Sequence, residues 1–270
     1  MSDLSAPTSV AVFGGVYSNH LALAAVLEDA RRRGATAFYC LGDLGGFGPH
    51  PDRVMPLLLD GSVTVLQGNY DDAIGHGRAD CGCGYTDPRD NHFAQLSYDY
   101  TRAKTSERWL PWLRALPTEI AETWAGRRVR MAHGSPRQQN EFLWESASSD
   151  AFLRRLLDGA AAELLLVTHT GLPWQRRLSD GRQVINVGAI GRPANHGRPS
   201  VSYSLLTFAQ AEPGGGLAHE QLEVDYDHER LADEMRREGL PPEFIETIRT
   251  GWWTTCLEIL PGRERRRGKF

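Results

Sequence analysis

The chain has few cysteines, no long apolar run and no imbalance of charge, and each shortfall removes a class of function. No stretch approaches the ~20 apolar residues that cross a bilayer, so no membrane span and no membrane partner are expected. Lys and Arg number 30 against 34 Asp and Glu, a net charge of -4. No global field therefore draws the protein to nucleic acid or to an acidic lipid surface. The opening residues, Met1-Ser2-Asp3-Leu4-Ser5-Ala6-Pro7, lack the basic region and apolar core of a signal peptide, and a cytoplasmic protein is expected. In that compartment the four cysteines, Cys40, Cys81, Cys83 and Cys256, are expected as thiols rather than as a disulfide framework. There are no internal repeats. The 270 residues suffice for one large α/β domain or two small ones, each with a substantial core.

What the chain does have is one arrangement used repeatedly. Ala37-Phe38-Tyr39-Cys40-Leu41 reads as a buried strand that breaks at Gly42, and Asp43 follows in the glycine-rich loop Leu44-Gly45-Gly46-Phe47-Gly48-Pro49. A carboxylate at the carboxyl end of such a strand stands where open α/β sheets place ligands, although a turn or a helix cap would use the same residue. The pattern recurs: Val63-Leu66 runs into Gly68-Asn69-Tyr70-Asp71-Asp72, and Val129-Ala132 into His133-Gly134-Ser135-Pro136. Leu164-Val167 runs into Thr168-His169-Thr170-Gly171, and Val184-Ile185 into Asn186-Val187-Gly188. Recurrence favours a ligand site over coincidence.

Taken in order, Ser9-Phe13 is the first strand, and Asn19 caps a helix whose apolar face holds Leu21, Leu23, Ala24, Leu27 and Ala30. A second helix over Pro51-Leu59 completes a βαβαβ opening, which implies right-handed crossovers and a parallel or mixed sheet. Asp71 to Asn91 breaks the rhythm and is read as a long irregular loop around Asp80-Cys81-Gly82-Cys83-Gly84-Tyr85. Helices are expected over Asn91-Thr101, Ser106-Leu116 and Ser149-Leu157, with Thr118-Trp124 and Arg127-Ala132 joined by a turn at Ala125-Gly126. Val201-Thr207 and Leu222-Val224 read as a closing hairpin around Gly214-Gly215-Gly216. From His228 the composition shifts. The expected division is a domain over 8–228, followed by a helical extension over 229–270 that ends in a solvated basic tail from Arg263 to Lys269.

Asp, Asn and two His at strand ends form a mixed oxygen and nitrogen donor set, better suited to Mn, Fe or Zn than to Ca. The order and surroundings resemble the calcineurin-like metallophosphoesterases, in particular their small bacterial branch, from about Val10 to Asp227. The resemblance rests on Asn19-His20-Leu21-Ala22-Leu23, Leu41-Gly42-Asp43 with Gly46-Phe47-Gly48-Pro49, Gly68-Asn69-Tyr70-Asp71 and His133-Gly134-Ser135-Pro136. It continues through Thr168-His169-Thr170, Asn186-Val187-Gly188 and Val224-Asp225-Tyr226-Asp227. It implies an α/β (α+β) fold, a four-layer sandwich of two mixed β-sheets flanked by helices, and a metal-dependent hydrolase acting on a small phosphorylated metabolite.

The resemblance also has gaps. The family's Asp-x-His falls on Gly15 and Tyr17, its Gly-Asn-His-Asp is Gly68-Asn69-Tyr70-Asp71, and its Gly-His-x-His is Thr168-His169-Thr170-Gly171. By resemblance one ion keeps its whole ligand set, Asp43, Asn69, His133 and His169. Its neighbour keeps only the shared Asp43. Tyr70, Asp71 and Tyr17 take the catalytic positions, with Tyr70 in place of the histidine that assists the leaving group. A tyrosine of pKa about 10 is a weaker acid than histidinium.

Two routes stay open for the second ion. Tyr17 as phenolate and Cys81 with Cys83 as thiolates can rebuild its site for chemistry other than phosphoester hydrolysis. Equally, Tyr17 is a packing residue and the cysteines are ordinary thiols. Cys256, after Trp252-Trp253, reads as buried structure or as a third thiol folded back onto the site. Arg137, Arg192 and Asn195, in loops after the ligand strands, are candidates to hold an anionic substrate. His20 is a candidate for the vacant site, His92 reads as packing or surface, and Glu141-Phe142-Leu143-Trp144 is expected to line the pocket. A small anionic substrate is the expected partner, and the composition is compatible with a homo-oligomer. The alternative from another class is a non-catalytic protein that keeps one ion and binds a partner near Trp252-Trp253.

Overall fold

A computed structural model describes residues 9–208 and 216–269. The chain begins with β1 (Ser9–Phe13), α1 (His20–Arg32), β2 (Ala37–Cys40), α2 (Pro51–Asp60), β3 (Thr64–Val65) and α3 (Asn69–His76). It continues with α4 (Pro88–Lys104), α5 (Leu110–Ala115), β4 (Glu119–Trp124), β5 (Arg127–Ala132), α6 (Asp150–Gly159) and β6 (Leu164–Val167). The last elements are β7 (Trp174–Arg177), β8 (Gln183–Asn186), β9 (Val201–Phe208), β10 (Leu217–Val224), α7 (His228–Arg237), α8 (Pro242–Thr250) and α9 (Gly262–Arg267).

Among the described residues the strands form two five-stranded mixed sheets, ordered β10-β9-β1-β2-β3 and β4-β5-β6-β8-β7. In the first, β1, β2 and β3 run parallel and β9 and β10 are antiparallel additions. In the second, β5, β6 and β8 run parallel between antiparallel edges β4 and β7. The period of two in these strands assigns each face. Val10 and Val12 of β1 meet Leu164 and Leu166 of β6 in the core between the sheets. Ala11 and Phe13 face α1 and α2, and Leu165 and Val167 face α6. With both faces buried, the central strands read as continuous apolar runs. A fully buried leucine such as Leu166 costs about 2–5 kcal/mol when cut to alanine, so this sandwich is a stiff support for whatever its strand ends carry.

Local signals explain most elements. Asn19 caps α1 by accepting the Ala22 N–H at 3.0 Å, and α1 buries Ala22, Leu23, Val26, Leu27 and Ala30 at helical spacing. Three expectations need correction. Asp71 to Asn91 is not one long loop. Gly68 N–H donates to the Asp71 carboxylate, α3 starts there, and Gly77 ends it in a left-handed conformation at φ 64. Farther on, Asp87 accepts the Arg89 N–H and Pro88 opens α4. The second sheet also gains an edge strand, β7, whose four residues are too few to show alternation in the sequence. The stretch from Arg263 is not a solvated tail: α9 docks through buried Glu264, which accepts the Ser146 N–H at 2.8 Å, and through Arg267 on Glu145 at 2.9 Å. The hairpin pairs as β9 and β10, but Gly214 and Gly215 of its expected tip lie outside the described residues. No helix among the described residues is long and apolar enough to cross a membrane.

Candidate metal centre

The carboxyl ends of β2, β3, β5 and β6 converge, and the loop after β2 sets the geometry. Gly42 and Asp43 take positive φ of 83° and 57°, which turns the chain sharply as β2 ends. A Cβ at Gly42 would strike the backbone of Gly68, and one at Gly68 would strike Asp43. Glycine at both positions lets the two loops touch. Asp71 then ties them together. Its carboxylate accepts the N–H groups of Asp43 at 2.8 Å, Leu44 at 3.0 Å and Gly68 at 2.8 Å.

Asp43 is held in turn. Its Oδ1 accepts the Tyr70 N–H at 3.1 Å, and its Oδ2 lies 3.2 Å from His133 Nε2. His133 Nδ1 stands 2.7 Å from the Leu41 carbonyl oxygen, which accepts but cannot donate. Nδ1 therefore carries the proton, and Nε2 points inward, 3.1 Å from His169 Nδ1. The three ligand atoms of Asp43, His133 and His169 lie within 4.8 Å of one another, all buried, so the group could hold one metal ion. Burial works to raise the Asp43 carboxyl, yet the neighbouring His133 and His169 hold it below its usual value. Burial works to lower His133, and Asp43 raises it above its usual value. His169 is pushed down to about 3 by burial and by His133, so it is a neutral imidazole with a free lone pair.

Asn69 is the first residue of α3. Its Nδ2 donates to the Cys81 carbonyl at 2.9 Å and lies 3.4 Å from Cys83 Sγ, while its Oδ1 is buried without a partner. An orphaned buried acceptor costs about 1–3 kcal/mol, a cost that a bound cation would relieve at the Asn69 oxygen. One carboxylate and two imidazoles, from Asp43, His133 and His169, fit a divalent transition metal.

A cavity of about 50 Å³ opens beside this group, room for about three to five waters. Asp43 and His169 line it together with Tyr17, Cys83, Tyr85, Arg192, Cys256, Phe47, Phe93 and Phe244. The α7–α8 segment thus walls the site, because Phe244 packs on Phe47 with ring centroids 4.6 Å apart.

Several of the candidates named from the sequence fall inside the cavity and several do not. Tyr17 and Arg192 line it, and Cys256 does fold back onto it. Tyr70 lines it too, but its hydroxyl lies 3.1 Å from Ser97 Oγ and 3.4 Å from the Ala94 carbonyl of α4. Asp71 braces the loop backbone and does not border the cavity. Arg137 is an exposed residue (60%) paired with Glu141, and Asn195 accepts the Trp253 N–H at 2.9 Å. Neither faces the cavity, because each has a nearer partner. His20 lies 3.7 Å from Glu234 and 3.3 Å from Arg53, away from the site. His92 is exposed on α4. Phe142 packs on His169 at 4.3 Å rather than on the cavity. The expectation of free thiols is corrected for one pair: Cys81 and Cys83 are joined in a disulfide, so in this state neither offers a thiolate to a metal. Cys40 and Cys256 are free and buried. Tyr85, Phe93 and Phe244 join the site without any periodic signal in the sequence, since loop and helix residues far apart in the chain meet only in the folded state.

No family model matches the chain. An uncharacterized protein of Methanocaldococcus jannaschii is 25% identical over 259 residues, which span 90% of this chain and 98% of that protein. Among solved structures, a metallophosphoesterase from Sphaerobacter thermophilus is 24% identical with a TM-score of 0.69, covering 91% of this chain and 99% of its own. A hypothetical protein from Pyrococcus horikoshii OT3 is 23% identical with a TM-score of 0.74, again covering 91% and 99%. The fold is that of the metallophosphoesterases.

Proposed function

We propose that the protein is a metal-dependent hydrolase of small phosphorylated molecules that works with one ion, held by Asp43, Asn69, His133 and His169. The observation that carries this reading is the convergence of Asp43 Oδ2, His133 Nε2 and His169 Nδ1, with the His133 tautomer fixed by the Leu41 carbonyl. A divalent ion bound there, Mn, Fe or Zn, supplies Lewis-acid polarisation of a phosphoryl oxygen and acidifies water. The chain's own residues do the rest. Asp71 and Leu41 hold the ligands before any substrate arrives, so little reorganisation is needed. Phe47, Phe93 and Phe244 line a cavity of about 50 Å³, which suits a small substrate group.

The second ion's usual ligands are replaced by Gly15 and Tyr17. Burial pushes the Tyr17 phenol up while no ion is bound, and the disulfide removes the thiolates. The thiolate route to a second site is thus closed in this state. The test is phosphate release from a panel of small phosphomonoesters with Mn, Fe or Zn, for the native chain and for Asp43→Asn and His133→Ala. Release that disappears in both variants supports hydrolysis. No release with any metal, or release unchanged in Asp43→Asn, rules it out.

A second reading, a non-catalytic protein that keeps one ion, is favoured by one observation: the Tyr70 hydroxyl is directed at Ser97 and Ala94 rather than held free as an acid. The same assay separates the two, since this reading predicts metal binding without turnover.

A further inference from the structure

Arg192 is the cavity residue that neither the donor set nor the aromatic wall explains. It is 6% exposed, and its Nε has no hydrogen-bond partner. Its guanidinium carbon lies 3.6 Å from the centre of the Trp253 ring, 5.8 Å from Tyr17 and 5.9 Å from Phe47. Cys256 lines the same cavity. No carboxylate pairs with Arg192 among the described residues. Aromatic faces offset only part of the cost of desolvating a buried guanidinium. A guanidinium kept buried, permanently charged and short of an anion is poised for an anionic ligand.

Its position says which one. Arg192 shares the cavity with Asp43 and His169, and its guanidinium carbon lies 5.8 Å from the centre of the Tyr17 ring. Among the residues lining the cavity, Asp43 is the sole carboxylate and Arg192 the sole permanent cation. A divalent ion less the charge of Asp43, together with Arg192, leaves two positive charges facing the cavity. That matches a phosphomonoester dianion better than a singly charged diester.

We infer that Arg192 serves as the second cation of this site: held against Trp253 of the C-terminal segment, its guanidinium receives the oxygens of a doubly charged phosphate group whose other side faces the Asp43–His169 group. This deepens the one-ion reading and rests on it for the orientation of the phosphate. It also gives the C-terminal segment a part in the site, since Trp253 is fixed by its N–H on Asn195 at 2.9 Å and its indole N–H on the Pro193 carbonyl at 2.6 Å.

The test is titration calorimetry of the full chain, metal-free and Mn-loaded, with inorganic phosphate, methyl phosphate and dimethyl phosphate, for the native protein, Arg192→Gln and Arg192→Lys. Loss of a charged hydrogen-bond partner predicts phosphate and methyl phosphate binding weakened by about tenfold or more in Arg192→Gln, with partial recovery in Arg192→Lys. Dimethyl phosphate is expected to bind weakly and with little dependence on residue 192. Equal phosphate affinity in the native protein and Arg192→Gln overturns the inference, whether or not the protein hydrolyses esters. Arg192-dependent phosphate binding without any turnover upholds it and removes the hydrolase reading instead. If Arg192→Gln fails to fold, phosphate-induced change in tryptophan emission carries the test on the native chain. A saturable change that Trp253→Phe abolishes is expected, and identical responses in the two proteins count against it.

Discussion

His133 Nε2 lies 3.1 Å from His169 Nδ1, with the other nitrogen of His133 fixed at 2.7 Å on the Leu41 carbonyl. Two imidazoles so placed cannot both carry a proton between them, and one proton shared there competes with a metal for the same lone pairs. The group could hold a metal ion in place of that proton, and the fold sets its shape through the Leu41 carbonyl and the Asp71 brace.

Metal should therefore stabilise the fold as well as act in it. At a free concentration of 100 Kd a ligand specific to the native state adds about 2.7 kcal/mol. Thermal unfolding with and without Mn, after chelation, should show a higher Tm with the metal for the native protein and no shift for His169→Ala. An equal shift in both would place the bound ion elsewhere.

Tyr70 gives a sharper test of chemistry. Its hydroxyl reaches Ser97 and Ala94, so Tyr70→Phe should lose about 0.5–1.5 kcal/mol of stability in urea unfolding and leave kcat unchanged. Without a positioned acid, esters with good leaving groups such as p-nitrophenol should outpace alkyl phosphates by about 10²–10⁴. A fall in kcat of that size in Tyr70→Phe would make Tyr70 the acid after all.

Away from the site, His219 predicts a pH dependence. Its ring bridges Gln175 Oε1 at 2.7 Å and Ser204 Oγ at 3.0 Å, and burial lowers it from 6.5 to about 4. Below pH 6.5 the unfolded chain takes up a proton that the folded chain refuses. The contribution of this residue is therefore whole above pH 6.5 and is lost as pH falls toward 4. Urea midpoints at about pH 7.5 and about pH 5 should differ less in His219→Gln than in the native protein. An unchanged difference would show that His219 does not titrate this way.

The parts of this picture that sequence reveals are those written locally. A strand buried on both faces is an apolar run, and Gly42-Asp43, Gly68-Asn69, His133-Gly134 and Thr168-His169 mark where such runs stop, so the donor set and the sandwich are legible together. The bracing role of Asp71 is not, because its partners are backbone N–H groups that any residue supplies. α3 is hidden for a similar reason: eight residues capped by a glycine loop have too few turns to show a period. The far wall of the cavity depends on α8 and Trp253 returning across the whole chain to Phe47 and Arg192, and no local pattern records such a return. Nor does composition reveal that Cys81 pairs with Cys83 while Cys256 stays free.

The most direct measurement is metal content by elemental analysis of the purified chain, for the native protein, His133→Ala and the double variant Cys81→Ser/Cys83→Ser. One ion per chain in the native protein and in the cysteine variant, and none in His133→Ala, is the expected result. It would leave Arg192, not a second metal, as the other positive charge. Two ions in the native protein, falling to one without the cysteines, would contradict the account and show that reduced thiolates rebuild the second site.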